Sequence, residues 1–345
     1  MTPETTMEST VSALLAAGKG ILAADESLPT IGKRLAALDI PSTEETRRAY
    51  RELLFTAPAL NDYVSGAILF DETIRQMTGK GASMPEILAW QGVIPGIKVD
   101  KGTTAIPGFA GEKVTEGLDG LRERLAVYRD LGARFTKWRA VILIGERSPT
   151  TTCIEANARA LALFAALSQE AGLVPIVEPE VLMDGAHTLA RCEEVMGATL
   201  RAVFGALFGH RIALETMLLK TAMVLPGTDC PRQAGLGEVV EATVRCLRRA
   251  VPAAVPGIVF LSGGQGSIEA TERLNAICRD GGLPWKLSFS FGRALQDDAL
   301  KAWGGSPGNA RAAQEALIHR ARCNSLAVQG KYSTQADREG PGRRP

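Results

Sequence analysis

The chain has 345 residues, 46% of them hydrophobic and 22% charged, an ordinary globular composition with length for one large α/β domain or two smaller ones. Its 39 basic and 38 acidic residues leave a formal charge of +1, which excludes a global field that recruits nucleic acid or an anionic membrane. Any anionic partner must be held by local arrangement.

The six cysteines, Cys153, Cys192, Cys230, Cys246, Cys278 and Cys323, read as scattered, with no CxxC pair and no histidine in ligand spacing. That pattern argues against a zinc site and against a disulfide framework. The N-terminus carries Glu4 and Glu8, with no basic region before the short apolar segment 11–17, so a secretory signal is not expected. No apolar stretch approaches the roughly 20 residues of a membrane span. A reducing cytoplasm is the expected compartment, with no metal and no cofactor.

Buried parallel strands read as continuous apolar runs bounded by glycine or proline. Such runs occur in turn at 20–25, 66–70, 96–100, 135–144, 174–180, 213–224, 257–261 and 287–291. Between most of them lie helix-like stretches rich in Ala, Leu, Glu and Arg, among them 43–54, 117–130, 153–171, 189–208, 237–249 and 267–278. Strand runs alternating with helices at this number predict a closed (β/α)8 TIM barrel, whereas a lower count would suit an open doubly wound sheet. No linker or composition shift divides the chain, so one domain is expected over 1–332. The tail 333–345, rich in Pro, Gly and Arg from Gln335 on, is expected to be flexible.

In such a barrel the chemistry sits at the C-terminal ends of the strands, and here nearly every run ends in polar groups. In chain order these are Asp25, Lys98 with Asp100, Lys137 with Arg139, Glu178 with Glu180, Lys220, Ser262-Gly263-Gly264, and Ser290 with Gly292 and Arg293. Pairs at i and i+2 point to the same side of a strand, so Lys137 with Arg139 and Glu178 with Glu180 converge on one cavity if that side is the interior. One pair alone could face solvent. Independent accidents on seven strands are a poorer explanation.

Lys220 ends an apolar run, where desolvation would favour a neutral amine over the ammonium that a lysine with pKa about 10.4 carries in water. A neutral amine forms Schiff bases with carbonyl substrates. A second lysine about 6 Å away, with Lys137 the obvious candidate, would cost the ammonium about 3 kcal/mol at an effective dielectric near 20. Glu178 and Glu180 act in the opposite sense. A protonated glutamic acid would remove the conflict and supply the proton that carbinolamine dehydration requires.

Two anion sites are visible. Ser262-Gly263-Gly264-Gln265-Gly266 leads into the helix-like stretch from Ser267, offering backbone N–H groups at a helix N-terminus, with Arg293 arriving from the next run. The second comprises Ser27, Thr30, Lys33 and Arg34, with Lys98 across the mouth, although Lys33 and Arg34 could equally be a solvated helix face.

Eight motifs stand in one order: Gly20-Ile-Leu-Ala-Ala-Asp-Glu-Ser27, Gly96-Ile-Lys-Val-Asp-Lys-Gly102, Lys137-Trp-Arg139, Val177-Glu-Pro-Glu180, Leu218-Leu-Lys220, Leu261-Ser-Gly-Gly-Gln265, Gly292-Arg-Ala-Leu295 and Lys301-Ala-Trp-Gly-Gly305. Together they resemble class I fructose-bisphosphate aldolase, from about Gly18 to Tyr332. The resemblance implies that Lys220 is the Schiff-base lysine attacking the C2 ketone of fructose 1,6-bisphosphate. It implies Glu178 as acid and base of imine formation and Glu180 as the carboxylate orienting the lysine. Lys137 becomes a charge-stabilising cation, and Asp25 the group handling the C4 hydroxyl. The C1 phosphate is then expected at Ser262, Gly263, Gly264, Ser290, Gly292 and Arg293. The C6 phosphate is expected near Ser27, Thr30, Lys33, Arg34 and Lys98, with Arg139 assisting. Sugar phosphates are the implied partners, and a homotetramer the implied assembly.

The chain departs from the family pattern at several positions. Familiar eukaryotic members end in a tyrosine that moves a proton at the enamine, whereas this sequence ends in Pro345; Thr30, Phe291 and Thr221-Ala222 also differ from the usual residues. A transaldolase-like or deoxyribose-phosphate aldolase-like barrel would share the lysine but need one phosphate site. A non-catalytic barrel would not need Lys220, Glu178, Lys137 and Asp25 together.

Overall fold

The computed structural model describes residues 6–339. Among the described residues ten strands occur in chain order: β1 (Gly20–Ala24), β2 (Val64–Leu69), β3 (Ile94–Lys98), β4 (Thr103–Ala105), β5 (Lys113–Thr115), β6 (Phe135–Ile142), β7 (Val174–Val181), β8 (Leu218–Thr221), β9 (Gly257–Phe260) and β10 (Lys286–Phe291). Eight of them pair in parallel and close into a barrel, β1-β2-β3-β6-β7-β8-β9-β10 and back to β1, while β4 and β5 form a separate antiparallel hairpin. The expected TIM barrel is therefore present as one domain, with helices between the strands.

Alternation along the strands sorts the side chains into two apolar layers. Ile21, Ala23, Ile68, Phe135, Val174, Ile176, Leu218 and Val259 pack inside the lower barrel with Val11 and Leu14 of the N-terminal helix Met7–Leu14 and with Leu15, which caps it. The opposite faces, including Leu22, Trp138, Val177 and Leu219, join the larger layer beneath the helices. Glycine makes the lower layer possible. A Cβ on Gly96 would lie 2.2 Å from the Phe135 ring, so a bare backbone admits this aromatic plug, and in the outer layer a Cβ on Gly20 would lie 2.5 Å from the Phe289 ring.

The same alternation carries upward into polar residues. Above Phe135 stand Lys137 and Arg139, above Ile176 stand Glu178 and Glu180, and above Leu218 stands Lys220. Register holds them level, with Lys98 opposite Lys137 and Arg139 opposite Glu178.

Two expectations need correction, and one element lies outside them. The apolar run 213–224 is a strand only over Leu218–Thr221, because a 3₁₀ turn at Leu214–Thr216 precedes it. The β4–β5 hairpin after β3 was not read from the sequence, its threonine-rich strands being short and exposed on one side of the pair. The tail is not loose from residue 333: Ser333 leads into the helix Thr334–Arg338, where buried Asp337 accepts hydrogen bonds from Arg320 and Tyr332. Residues 340–345 lie outside those described.

Candidate active site

A cavity of about 1210 Å³ opens at the C-terminal ends of the barrel strands. Its lining includes Asp25, Ser27, Thr30, Lys33, Arg34, Lys98, Lys137, Arg139, Glu178, Glu180, Lys220, Ser262, Gly263, Ser290, Gly292 and Arg293. Every predicted site residue except Gly264 is thus on one wall or another. Gly264, with φ +95°, makes the turn of the loop after β9 together with the lining residue Gly263, with φ +57°, a conformation that side chains rarely adopt.

At the floor, Lys220 Nζ is 3.1 Å from Glu178 Oε1, and Lys137 Nζ is 2.9 Å from Glu178 Oε2 and 2.8 Å from Asp25 Oδ2. All four residues are buried. Arg139 pairs with Glu180 on the same two strands. Burial pushes the Asp25 carboxyl up, but the ammonium groups of Lys137 and then Lys220 outweigh it and hold the group well below its ordinary range. Glu178 is likewise raised by burial and brought below its usual value by Lys137 and Lys220. Burial alone would lower Lys137; Asp25 and Glu178 reverse this and hold it strongly protonated. Glu180 goes the other way, because burial raises its carboxyl by more than Arg139 lowers it. The two glutamates thus shift in opposite directions, Glu180 upward by burial and Glu178 downward by Lys137 and Lys220.

The loop after β9 holds the first candidate anion site. Gln265 locks it, donating to the Ser262 carbonyl at 3.0 Å and accepting from Arg273 at 2.8 Å. The helix Ser267–Asp280 starts just beyond, and a second helix, Arg293–Trp303, starts beside it after β10. Ser290 is buried to 1% exposure and its hydroxyl has no hydrogen-bond partner, although it faces the cavity. A buried unpartnered hydroxyl at a cavity wall is a donor awaiting an acceptor.

The second site forms around the start of the helix Leu28–Ala36. Ser27 and Thr30 hydroxyls lie 3.0 Å apart, and Lys98 Nζ pairs with Asp100 Oδ1 at 2.7 Å. Arg34 is not part of a solvated face: its guanidinium pairs with Glu26 and, at 3.0 Å, with Asp297. Sequence reasoning did not assign roles to Glu26 or Asp297. Glu26 stood in plain view between Asp25 and Ser27, whereas Asp297 is brought in from a helix more than 250 residues away.

Across the whole cavity eleven lysine and arginine side chains face six carboxylates, although the chain is nearly neutral overall. A ligand with more than one negative charge fits that surplus.

The profile of the family described as fructose-bisphosphate aldolase class-I matches residues 6–343. The chain belongs to the class I fructose-bisphosphate aldolase family. A protein from Xanthomonas axonopodis pv. citri named "Probable fructose-bisphosphate aldolase class 1" is 57% identical over 327 residues, covering 94% of this chain and 98% of the relative. A cytoplasmic aldolase isozyme of Pisum sativum is 54% identical over 91% of this chain and 88% of its own length. Among solved structures, the aldolase of Plasmodium falciparum superposes with a TM-score of 0.93 at 47% identity, covering 95% of both chains. The resemblance drawn from the motifs is thus shown, and with it the enzyme class.

One sequence reading does not survive. His319 and Cys323 are four residues apart on the helix Ala310–Val328, which is ligand spacing, and Asp337 completes a group within 4.8 Å. Both oxygens of Asp337 are already engaged by Arg320 and Tyr332, so the cluster is an ion-pair clasp for the C-terminal segment.

Proposed function

We propose that Lys220 is the nucleophile through which this aldolase carries out the reversible cleavage of fructose 1,6-bisphosphate to dihydroxyacetone phosphate and glyceraldehyde 3-phosphate. The supporting observation is the buried Lys220–Glu178 contact of 3.1 Å, at the bottom of a cavity with an anion site on either side.

Attack of the Lys220 amine on C2 gives a carbinolamine, and loss of water gives an iminium. Lys220 gives its ammonium proton to solvent before the amine attacks, which leaves Glu178 facing one close cation, Lys137, instead of two. The carboxylate then becomes a better base when a proton must be accepted and passed to the departing hydroxyl. Glu180, whose proton is favoured by burial, supports that exchange and orients the lysine. Asp25, kept anionic, accepts the C4 hydroxyl proton; the C3–C4 bond breaks, its electrons flow into the iminium to give an enamine, and glyceraldehyde 3-phosphate leaves. Protonation at C3 and hydrolysis of the imine release dihydroxyacetone phosphate and restore the amine. Lys137, between Asp25 and Glu178, stays charged and offsets the negative charge that develops there. The iminium is the electron sink, so the route calls for no metal.

The C1 phosphate is assigned to Ser262, Gly263, Ser290, Gly292 and Arg293, with Gly264 shaping the loop. The C6 phosphate is assigned to Ser27, Thr30, Lys33, Arg34 and Lys98, with Arg139 between the two. Borohydride reduction in the presence of dihydroxyacetone phosphate should leave a secondary amine on Lys220; mass spectrometry locating the adduct elsewhere, or none, would refute the assignment.

A homotetramer in the cytoplasm is the proposed state. The assembly follows the family resemblance alone. The compartment follows relatives named as cytoplasmic isozymes, and among the described residues no helix is long and apolar enough to cross a membrane. Light scattering on the purified enzyme tests the assembly.

A further inference from the structure

Behind the second anion site lies a buried polar cluster that the reaction steps do not use. Arg51, on the helix Glu44–Phe55, is 2% exposed and does not line the cavity. Its Nη2 donates to Glu26 Oε2 at 2.6 Å, and its Nη1 has no partner. Glu26 turns its other oxygen to Arg34, which also holds Asp297 at 3.0 Å. Gln296 ties the group together, donating to Glu26 at 3.1 Å and to the Ala23 carbonyl at 2.6 Å while accepting from the Tyr50 hydroxyl at 3.1 Å.

Counting charge shows what Arg51 does. Arg34 faces the cavity between two carboxylates, Glu26 and Asp297, and these three alone would present a net negative charge to an incoming phosphate. The fourth member restores neutrality without entering the cavity. Arg51 also takes one oxygen of Glu26, which fixes that carboxylate as a one-sided acceptor and so fixes the direction of Arg34.

We infer that Arg51 is a positioning residue for the second phosphate, acting through Glu26 on Arg34 and setting the preference for a bisphosphate over a 1-monophosphate sugar. The inference rests on the assignment of Arg34 to the C6 phosphate.

The test compares fructose 1,6-bisphosphate with fructose 1-phosphate in steady state. Arg51→Met should raise KM for the bisphosphate at least about tenfold while changing kcat and every constant for the monophosphate by less than about twofold. Arg51→Lys should recover most of the loss. Combining Arg51→Met with Glu26→Gln removes both charges, and bisphosphate KM should return to within about threefold of the parent. A merely structural role predicts equal losses on both substrates and a double variant worse than either single one, and that result overturns the inference. If Arg51→Met does not accumulate folded, Arg51→Gln, which keeps a hydrogen-bond donor toward Glu26 but removes the charge, carries the same comparison: an unchanged ratio of the two substrates' KM values overturns the inference. Arg34→Met separates the two readings. Should bisphosphate preference survive its loss, the phosphate assignment falls and Arg51 with it; should Arg34→Met erase the preference and Arg51→Met leave it, only the role of Arg51 falls.

Discussion

The ammonium of Lys137 lies 2.8 Å from the carboxylate of Asp25, although β6 and β1 share no edge in the barrel. The contact spans the interior, and the same nitrogen reaches Glu178 at 2.9 Å. Lys137 therefore ties together the two carboxylates to which proton transfer is assigned in the proposed reaction.

Lys137→Met would leave both acids buried without their nearest cation. Breaking a buried pair from one side costs about 3–5 kcal/mol, so thermal unfolding should fall by that equivalent, and turnover should fall by at least about a thousandfold. Calorimetry and a coupled assay read the two losses separately.

The carboxyls of Asp25 and Glu180 should show opposite pH signatures. The Asp25 value is depressed below its ordinary 3.8, so its stabilising contribution is present above that pH and disappears as pH falls through the lower folded value. The Glu180 value is raised above 4.5, so its favourable contribution is complete below that pH and lost as pH rises through the folded value. Accordingly, the thermal penalty of Asp25→Asn should shrink on acidification below pH about 4. That of Glu180→Gln should be smaller at pH about 7 than at pH about 4. Melting curves at the two values decide; parallel shifts for both variants contradict the assignment.

Gly96→Ala places a Cβ 2.2 Å from the Phe135 ring, and neither β-strand backbone can move without disturbing Lys98 two residues on. Overpacking of this kind costs about 1–3 kcal/mol. Phe135→Leu should rescue part of it, giving a coupling in a double-mutant cycle by denaturant unfolding. Additive losses would place the strain elsewhere.

Arg293→Ala removes a cation at the first anion site that is distant from the bond-breaking centre in role. KM should rise about 10- to 100-fold with kcat changed only a few-fold. Lys220→Ala should abolish turnover instead. Prolonged dialysis against EDTA should leave the parent activity unchanged, whereas loss with zinc rescue would contradict an iminium route.

Much of the site was legible because a strand repeats every two residues. That period alone places Lys137 with Arg139, and Glu178 with Glu180, on one face, and glycine-rich turns marked the loop at Ser262 without any coordinates. The β4–β5 hairpin and the docked helix Thr334–Arg338 were not legible in the same way. Short exposed strands carry little apolar pattern, and the tail is held by Asp337 through Arg320 and Tyr332, a contact with no local sequence signature.

By itself the sequence determined the barrel, the family and the set of charged side chains that reach its mouth, since periodicity and motif order are properties of neighbouring residues. The tertiary structure decided in which direction each buried carboxylate shifts, which cations lie between which acids, and that Arg51 stands behind Arg34. Those outcomes depend on distance and burial between residues far apart in the chain, and Coulomb energies are set by separation and surrounding dielectric, which no linear spacing records.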